Sequence, residues 1–256
     1  MNGAQIGNQD EIVGRFGDTP YRVRTRWSWW QASAVVVSIL VVAALVAQAA
    51  LLALPAAGFE AAHWQLLTAL AVSQVICSAL VWWVAGWLGD QRVEVLALGP
   101  PVQGWRSYVL ASMAMALIFG TLSWLMWTLE PDLVIRDLTV YVGLIRSPAW
   151  WLAVLVIVVG APVMEELMFR GFLFATLARS RLGIGGAAIV TSLGWAALHA
   201  GYSLAGLVEV FLVGLYFSLL LVKTGSLRVP MFCHGAYNLS ALVMLLAVDI
   251  PVAASG

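Results

Sequence analysis

Apolar residues run along this chain in long blocks separated by short polar breaks. A helix that crosses a bilayer needs about 20 mostly apolar residues. On that criterion the pattern predicts spans near 31–54, 64–88, 107–129, 149–178, 184–200, 204–222 and 229–248. The fourth block is about 30 residues long, more than an upright span requires, and Pro162 lies inside it. Proline removes a backbone hydrogen bond, so a kink or strong tilt is expected there. The fifth block is short and ends in His199-Ala200-Gly201-Tyr202-Ser203, a sequence suited to a tight turn or a break. Residues 130–148 mix Glu130, Asp132, Arg136, Asp137 and Arg146 with Leu133, Val134, Ile135, Leu138, Val140 and Tyr141. That segment reads equally as an amphipathic helix lying over an outer vestibule or as a plain connecting loop. Residues 1–26 are polar and contain glycine, and are expected to be disordered or to lie at the interface.

Composition turns this pattern into a class. Of 256 residues, 62% are hydrophobic and only 10% are charged, and the mean hydropathy is +0.93. A soluble domain is about 25% charged. The fold class is therefore all-α: a multi-pass integral membrane bundle of about seven, or eight, transmembrane helices. Thirteen basic and thirteen acidic residues cancel, so no bulk charge argues for a nucleic-acid partner. With the N-terminus in the cytoplasm and seven spans, ten of the thirteen basic residues fall inside. Arg136 and Arg146 fall outside, and Arg170 stays in the membrane. This asymmetry fits the positive-inside rule. The first apolar run continues through Leu54, longer than a signal-peptide core, so the first helix is expected to remain uncleaved. Tryptophans gather at predicted span ends (Trp27, Trp29, Trp30, Trp82, Trp83, Trp87, Trp105, Trp150, Trp151), as interfacial anchors do. Cys77 and Cys233 both sit in apolar segments without paired spacing and read as small buried hydrophobes. His63, just before the second span, reads as interfacial.

Against that background Glu165 and Glu166 are out of place. They are adjacent, inside an apolar helix, where ionisable residues are expensive and mark functional sites. Glu166 and Arg170 are four apart, acid before base, the favourable order for a helical ion pair. Glu165 sits about 100° around the helix from Glu166 and is the freer carboxylate. A free carboxylate in an apolar pocket is suited to accept and return a proton. Two later spans each add a histidine: His199 in Trp195-Ala196-Ala197-Leu198-His199, and His234 in His234-Gly235-Ala236-Tyr237-Asn238. His234 and Asn238 share a face and could donate hydrogen bonds to a developing oxyanion. His199 could orient or help deprotonate a water held by Glu165. No serine or cysteine stands poised beside a base, so hydrolysis by an activated water is the natural reaction class. The same carboxylates and imidazoles would also make an adequate first shell for zinc, although the helical His-Glu-x-x-His pattern is absent. Metal dependence is left open between none and a single divalent ion such as zinc. Glu209, a further buried acid in the sixth span, could pair with Arg170 or a histidine, or line the cavity.

Three motifs in order carry a resemblance. Glu165-Glu166-Leu167-Met168-Phe169-Arg170 resembles the Glu-Glu-x-x-x-Arg motif of the CPBP family of intramembrane proteases. That family includes the Rce1-type CAAX prenyl endopeptidases and bacterial Abi proteins. Its Phe-x-x-x-His motif corresponds to Trp195 through His199, with tryptophan in place of phenylalanine, a change read as one of packing. Its His-x-x-x-Asn motif corresponds to His234 through Asn238. The resemblance covers roughly 148–248, which suggests a polar tail at 1–26, N-terminal helices at 27–147 and a protease core at 148–248. It implies that Glu165 activates water with His199, that His234 and Asn238 hold the oxyanion, and that Glu166 and Arg170 support them.

Three readings follow. The first is an endopeptidase acting on a membrane-associated or lipidated protein. The second is a non-catalytic or bacteriocin-immunity-type protein that binds a peptide or partner in the same cavity. The third, a proton-coupled transporter, would show paired broken helices and internal symmetry, and none stands out. Counting 1.5 Å per residue, His199 lies on the order of 25 Å from the cytoplasmic side and His234 about 10 Å. A single site therefore requires tilt, a break at Gly201, or shifted helix ends.

Overall fold

The computed structural model describes residues 19–58 and 61–247. The helices among them are α1 Trp29–Ala53, α2 Ala62–Ala85, the single turn α3 Arg92–Val95, α4 Trp105–Leu129 and α5 Pro131–Ile145. They continue as α6 Trp150–Arg179, α7 Gly183–Ala197, α8 Leu204–Thr224 and α9 Arg228–Ala247. Six of them (α1, α2, α4, α6, α8 and α9) are long and apolar enough to cross a membrane, and α7 is an apolar helix of 15 residues. The chain is thus a polytopic helical bundle. Its outer face carries large apolar side chains such as Leu45, Leu52, Met113 and Leu117, each more than half exposed. Such a surface belongs against lipid.

Helix α6 is irregular on both sides of Pro162. Leu155–Gly160 and Leu167–Leu173 are π-helical, and the α-helical stretch Ala161–Glu166 lies between them. The wide turn shifts the hydrogen-bond ladder. The Ala161 N–H bonds to Val156 O, five residues back, which releases Ile157 O for another donor. Pro162 has no N–H to offer Val158 O, four residues back. At Pro162 the expected irregularity is therefore a π segment running into the proline, and together they free two adjacent carbonyls on the side facing α9.

The segment 130–148 resolves to an amphipathic helix, α5, whose Ser147 Oγ caps the turn into α6. Asp137 ties α5 to the start of α8, accepting from Ser203 N at 2.9 Å and from Ser203 Oγ at 2.6 Å.

Residues 19–26 depart from the expectation of disorder; residues 1–18 lie outside the described part. Tyr21 is buried edge-on to Phe174, with ring centroids 5.5 Å apart. Arg179 donates to Thr25 O at 2.6 Å, and Arg24 pairs with Glu94 at 3.0 Å. Apolar contact with the end of α6 supplies the burial that polar composition alone did not suggest. Trp27 likewise is a core residue packed on Phe172, while Trp29, Trp30, Trp105, Trp150 and Trp151 are exposed near helix ends.

Candidate active site

A cavity of about 980 Å³ opens among α2, α4, α5, α6, α8, α9 and the end of α7. Glu165, His199, His234 and Asn238 all line it, together with Trp195, Glu209, Tyr141, Tyr202 and a largely apolar wall. The N-terminal half contributes as well: Gln74 of α2 and Ser112, Met115 and Ser123 of α4 lie in the same wall.

The two adjacent glutamates have different surroundings. Glu166 and Arg170 are fully buried behind the cavity and form an ion pair at 2.9 Å. Arg170 also lies over the rings of Trp195 and Phe217, 4.4 and 5.7 Å from their centroids. A planar cation stacked on aromatic faces loses less than a free ammonium would on leaving water. Gly214 makes the room: a Cβ there would stand 2.8 Å from Arg170 Nη2 and 2.9 Å from Ser192 Oγ. Glu165, one residue earlier, faces the cavity. Its Oε2 accepts from the Trp195 indole N–H and lies 3.8 Å from His234 Nε2.

His234 connects the two acids. Its Nδ1 is 3.0 Å from Glu166 Oε1, the same oxygen that Arg170 binds. With that oxygen an acceptor for Arg170, Nδ1 is the donor to Glu166, and Nε2 is left facing Glu165. The ring stacks on Phe217, with centroids 5.0 Å apart. Gly235 lets α9 come this close, because a Cβ there would meet Val158 O at 2.7 Å. One turn on, Asn238 Nδ2 donates to the released Ile157 O at 2.8 Å. The distortion of α6 and the His-x-x-x-Asn motif of α9 are thus one fitted joint, and part of the Asn238 donor capacity is used in it.

His199 lies beyond the last residue of α7, in the turn before α8. Its Nδ1 is 3.1 Å from Trp195 O, and its ring packs on Trp195 and Tyr202 at 5.3 and 5.4 Å. Burial, and then Tyr141 beside it, push the Tyr202 phenol above its ordinary range, so it remains a neutral donor. The depth mismatch counted from sequence is bridged by an indole: the Trp195 ring contacts His199 at 5.3 Å and His234 at 5.2 Å. Trp195 was read from sequence as packing only. Its N–H on Glu165 corrects that reading, and the signal was present in the one motif position that differs from the family pattern.

Glu209 pairs with neither Arg170 nor a histidine. Its Oε1 accepts from Ser123 Oγ at 2.7 Å and Tyr237 OH at 2.6 Å, and the residue lines the cavity wall. Cys77 and Cys233 are free and buried. His63, in the first turn of α2, packs on Trp64 at 5.9 Å.

A zinc ion does not fit the donors as arranged. Among the described residues no three His, Cys, Asp or Glu side chains converge as ligands.

Residues 147–240 match the family model described as type II CAAX prenyl endopeptidase Rce1-like. Over 88 residues, 32% of this chain, the sequence is 39% identical to an uncharacterized 24.3 kDa protein of Escherichia coli. The matched stretch spans 39% of that relative's length. No solved structure matches the chain. Every charged and histidine side chain from Glu165 to Asn238 lies within the matched segment, and it is in that segment that the chain is similar to the Rce1-like family.

Proposed function

We propose that this protein is an intramembrane endopeptidase that hydrolyses a peptide bond of a membrane-associated or lipidated protein with a water activated by Glu165. One observation carries the reading: of two adjacent carboxylates, one is locked to a buried arginine and the other faces a large, mostly apolar cavity. Both contacts of Glu165 fall on Oε2, leaving Oε1 for a water. The water oxygen attacks the substrate carbonyl carbon as its proton passes to Glu165. His234 enters the cycle as the imidazolium, its Nε2 proton taken from solvent beforehand and kept throughout, and with the remaining N–H of Asn238 it donates to the oxyanion as it forms. Collapse of the tetrahedral adduct breaks the C–N bond, and the proton held by Glu165 goes to the leaving amine. His199 lines the same cavity as Glu165 and orients the water from its wall. Charge asymmetry supports a cytoplasmic location for the N-terminal side of α1.

The test is cleavage of a panel of farnesylated, lipidated and unmodified peptides by the purified protein, read by mass spectrometry beside a binding isotherm. Glu165→Ala is expected to abolish turnover and leave binding within a few fold, because a water-activating base acts chiefly in the transition state. Unchanged cleavage by Glu165→Ala removes the glutamate mechanism. Binding without cleavage by the parent supports the non-catalytic or immunity-type reading. Chelator inhibition reversed by zinc overturns the metal-free version.

A further inference from the structure

Trp195 is the most connected side chain of the cavity wall. It is 3% exposed, and it touches the rest of the site in two distinct ways. Its edge donates the indole N–H to Glu165 Oε2, and its face carries the Arg170 guanidinium 4.4 Å from the ring centroid. The indole therefore stands against the free acid on one side and the buried cation on the other. Both alternative partners for Glu165 are close. His234 Nε2 is 3.8 Å from Oε2, beyond hydrogen-bond distance, and Arg170 lies on the face of the same indole that donates to Glu165. A carboxylate in an apolar cavity with two cationic or potentially cationic neighbours tends to collapse onto one of them. A preorganised donor on Oε2 opposes that collapse.

We infer that Trp195 is a positioning residue that holds Glu165 apart from Arg170 and His234, reserving the arginine for Glu166 and Oε1 of Glu165 for the water. A phenylalanine at this position, as in the family's Phe-x-x-x-His motif, would keep a ring face for Arg170 and have no N–H for Glu165. The donor is a property of this chain's own sequence. The inference rests on the proposed hydrolase for its kinetic arm only.

The experiment compares Trp195→Phe with the parent, using Trp195→Leu as the variant that also removes the ring face. The infrared carboxylate band of Glu165, assigned by difference against Glu165→Gln, should move in Trp195→Phe. Loss of a hydrogen bond to a charged group corresponds to about tenfold or more. In the kinetic arm, kcat for Trp195→Phe is therefore expected to fall by about that factor with KM within about twofold. Thermal stability in detergent should stay close to the parent for Trp195→Phe and fall for Trp195→Leu, which leaves Arg170 without its aromatic face. A Glu165 band unchanged in Trp195→Phe overturns the inference, as does parental kcat in that variant. If the parent cleaves no substrate the hydrolase reading fails, and the infrared arm still decides whether the indole holds Glu165.

Discussion

His234 Nδ1 lies 3.0 Å from Glu166 Oε1, and the oxygen it binds already accepts from Arg170 at 2.9 Å. Two cationic or potentially cationic donors from helices α9 and α6 thus meet on one fully buried carboxylate oxygen. Glu166 fixes the orientation of the His234 ring, and Arg170 holds the Glu166 carboxylate in place to do so. The pair is structural first and affects chemistry through the imidazole.

Removing one partner of a buried pair strands the other charge, which costs about 3–5 kcal/mol. Arg170→Ala is therefore expected to lower folded yield and heat resistance in detergent along with activity. Arg170→Lys should recover little of either, because an ammonium lacks the planar face that lies over Trp195 and Phe217. Size-exclusion profiles and thermal melts of the three proteins check this. Normal accumulation of Arg170→Ala with parental melting would contradict it.

Gly235 governs how closely α9 approaches α6. The Cβ of an alanine would stand 2.7 Å from Val158 O, a backbone atom that cannot swing aside. Gly235→Ala should push the helices apart, destabilise by about 1–3 kcal/mol as overpacking does, and draw His234 away from Glu166. At Gly201 a Cβ meets nothing within 4 Å, so Gly201→Ala serves as the control and should melt like the parent. Equal melting temperatures for the two variants would show that this close approach is not required.

Asp137 fastens α5 over the cavity through both hydrogen bonds to Ser203. Its replacement by alanine leaves the Ser203 N–H at the start of α8 without that acceptor and frees α5 to lift. Amide hydrogen exchange should quicken in 131–145 for Asp137→Ala, with α6 and α9 protected as in the parent. Exchange in α5 at the parental rate would mean that its apolar face alone holds it down.

Much of this was legible in the chain. Long apolar runs located the membrane helices, because a bilayer demands a fixed length of apolar helix whatever surrounds it. Helical spacing paired Glu166 with Arg170, since residues four apart share a face in any regular helix. The order of three motifs named the residues that line the cavity. Less was legible where contacts are long-range. Residues 19–26 looked like a polar tail, and only the packing of Tyr21 on Phe174 shows why they are ordered. Glu209 looked available to Arg170 or a histidine, and its neighbours in space are Ser123 and Tyr237.

The sequence by itself determined the helical, membrane-embedded class and the identity of the ionisable groups, because burial of charge is rare enough to be informative one residue at a time. The tertiary structure alone decided the partners of those groups. The π turns of α6 release Ile157 O to Asn238, Gly235 lets His234 reach Glu166, and the Trp195 indole joins two histidines whose helical positions differ in depth. Each of these depends on the distance between helices, a quantity set by the side chains packed between them and carried by no single stretch of sequence.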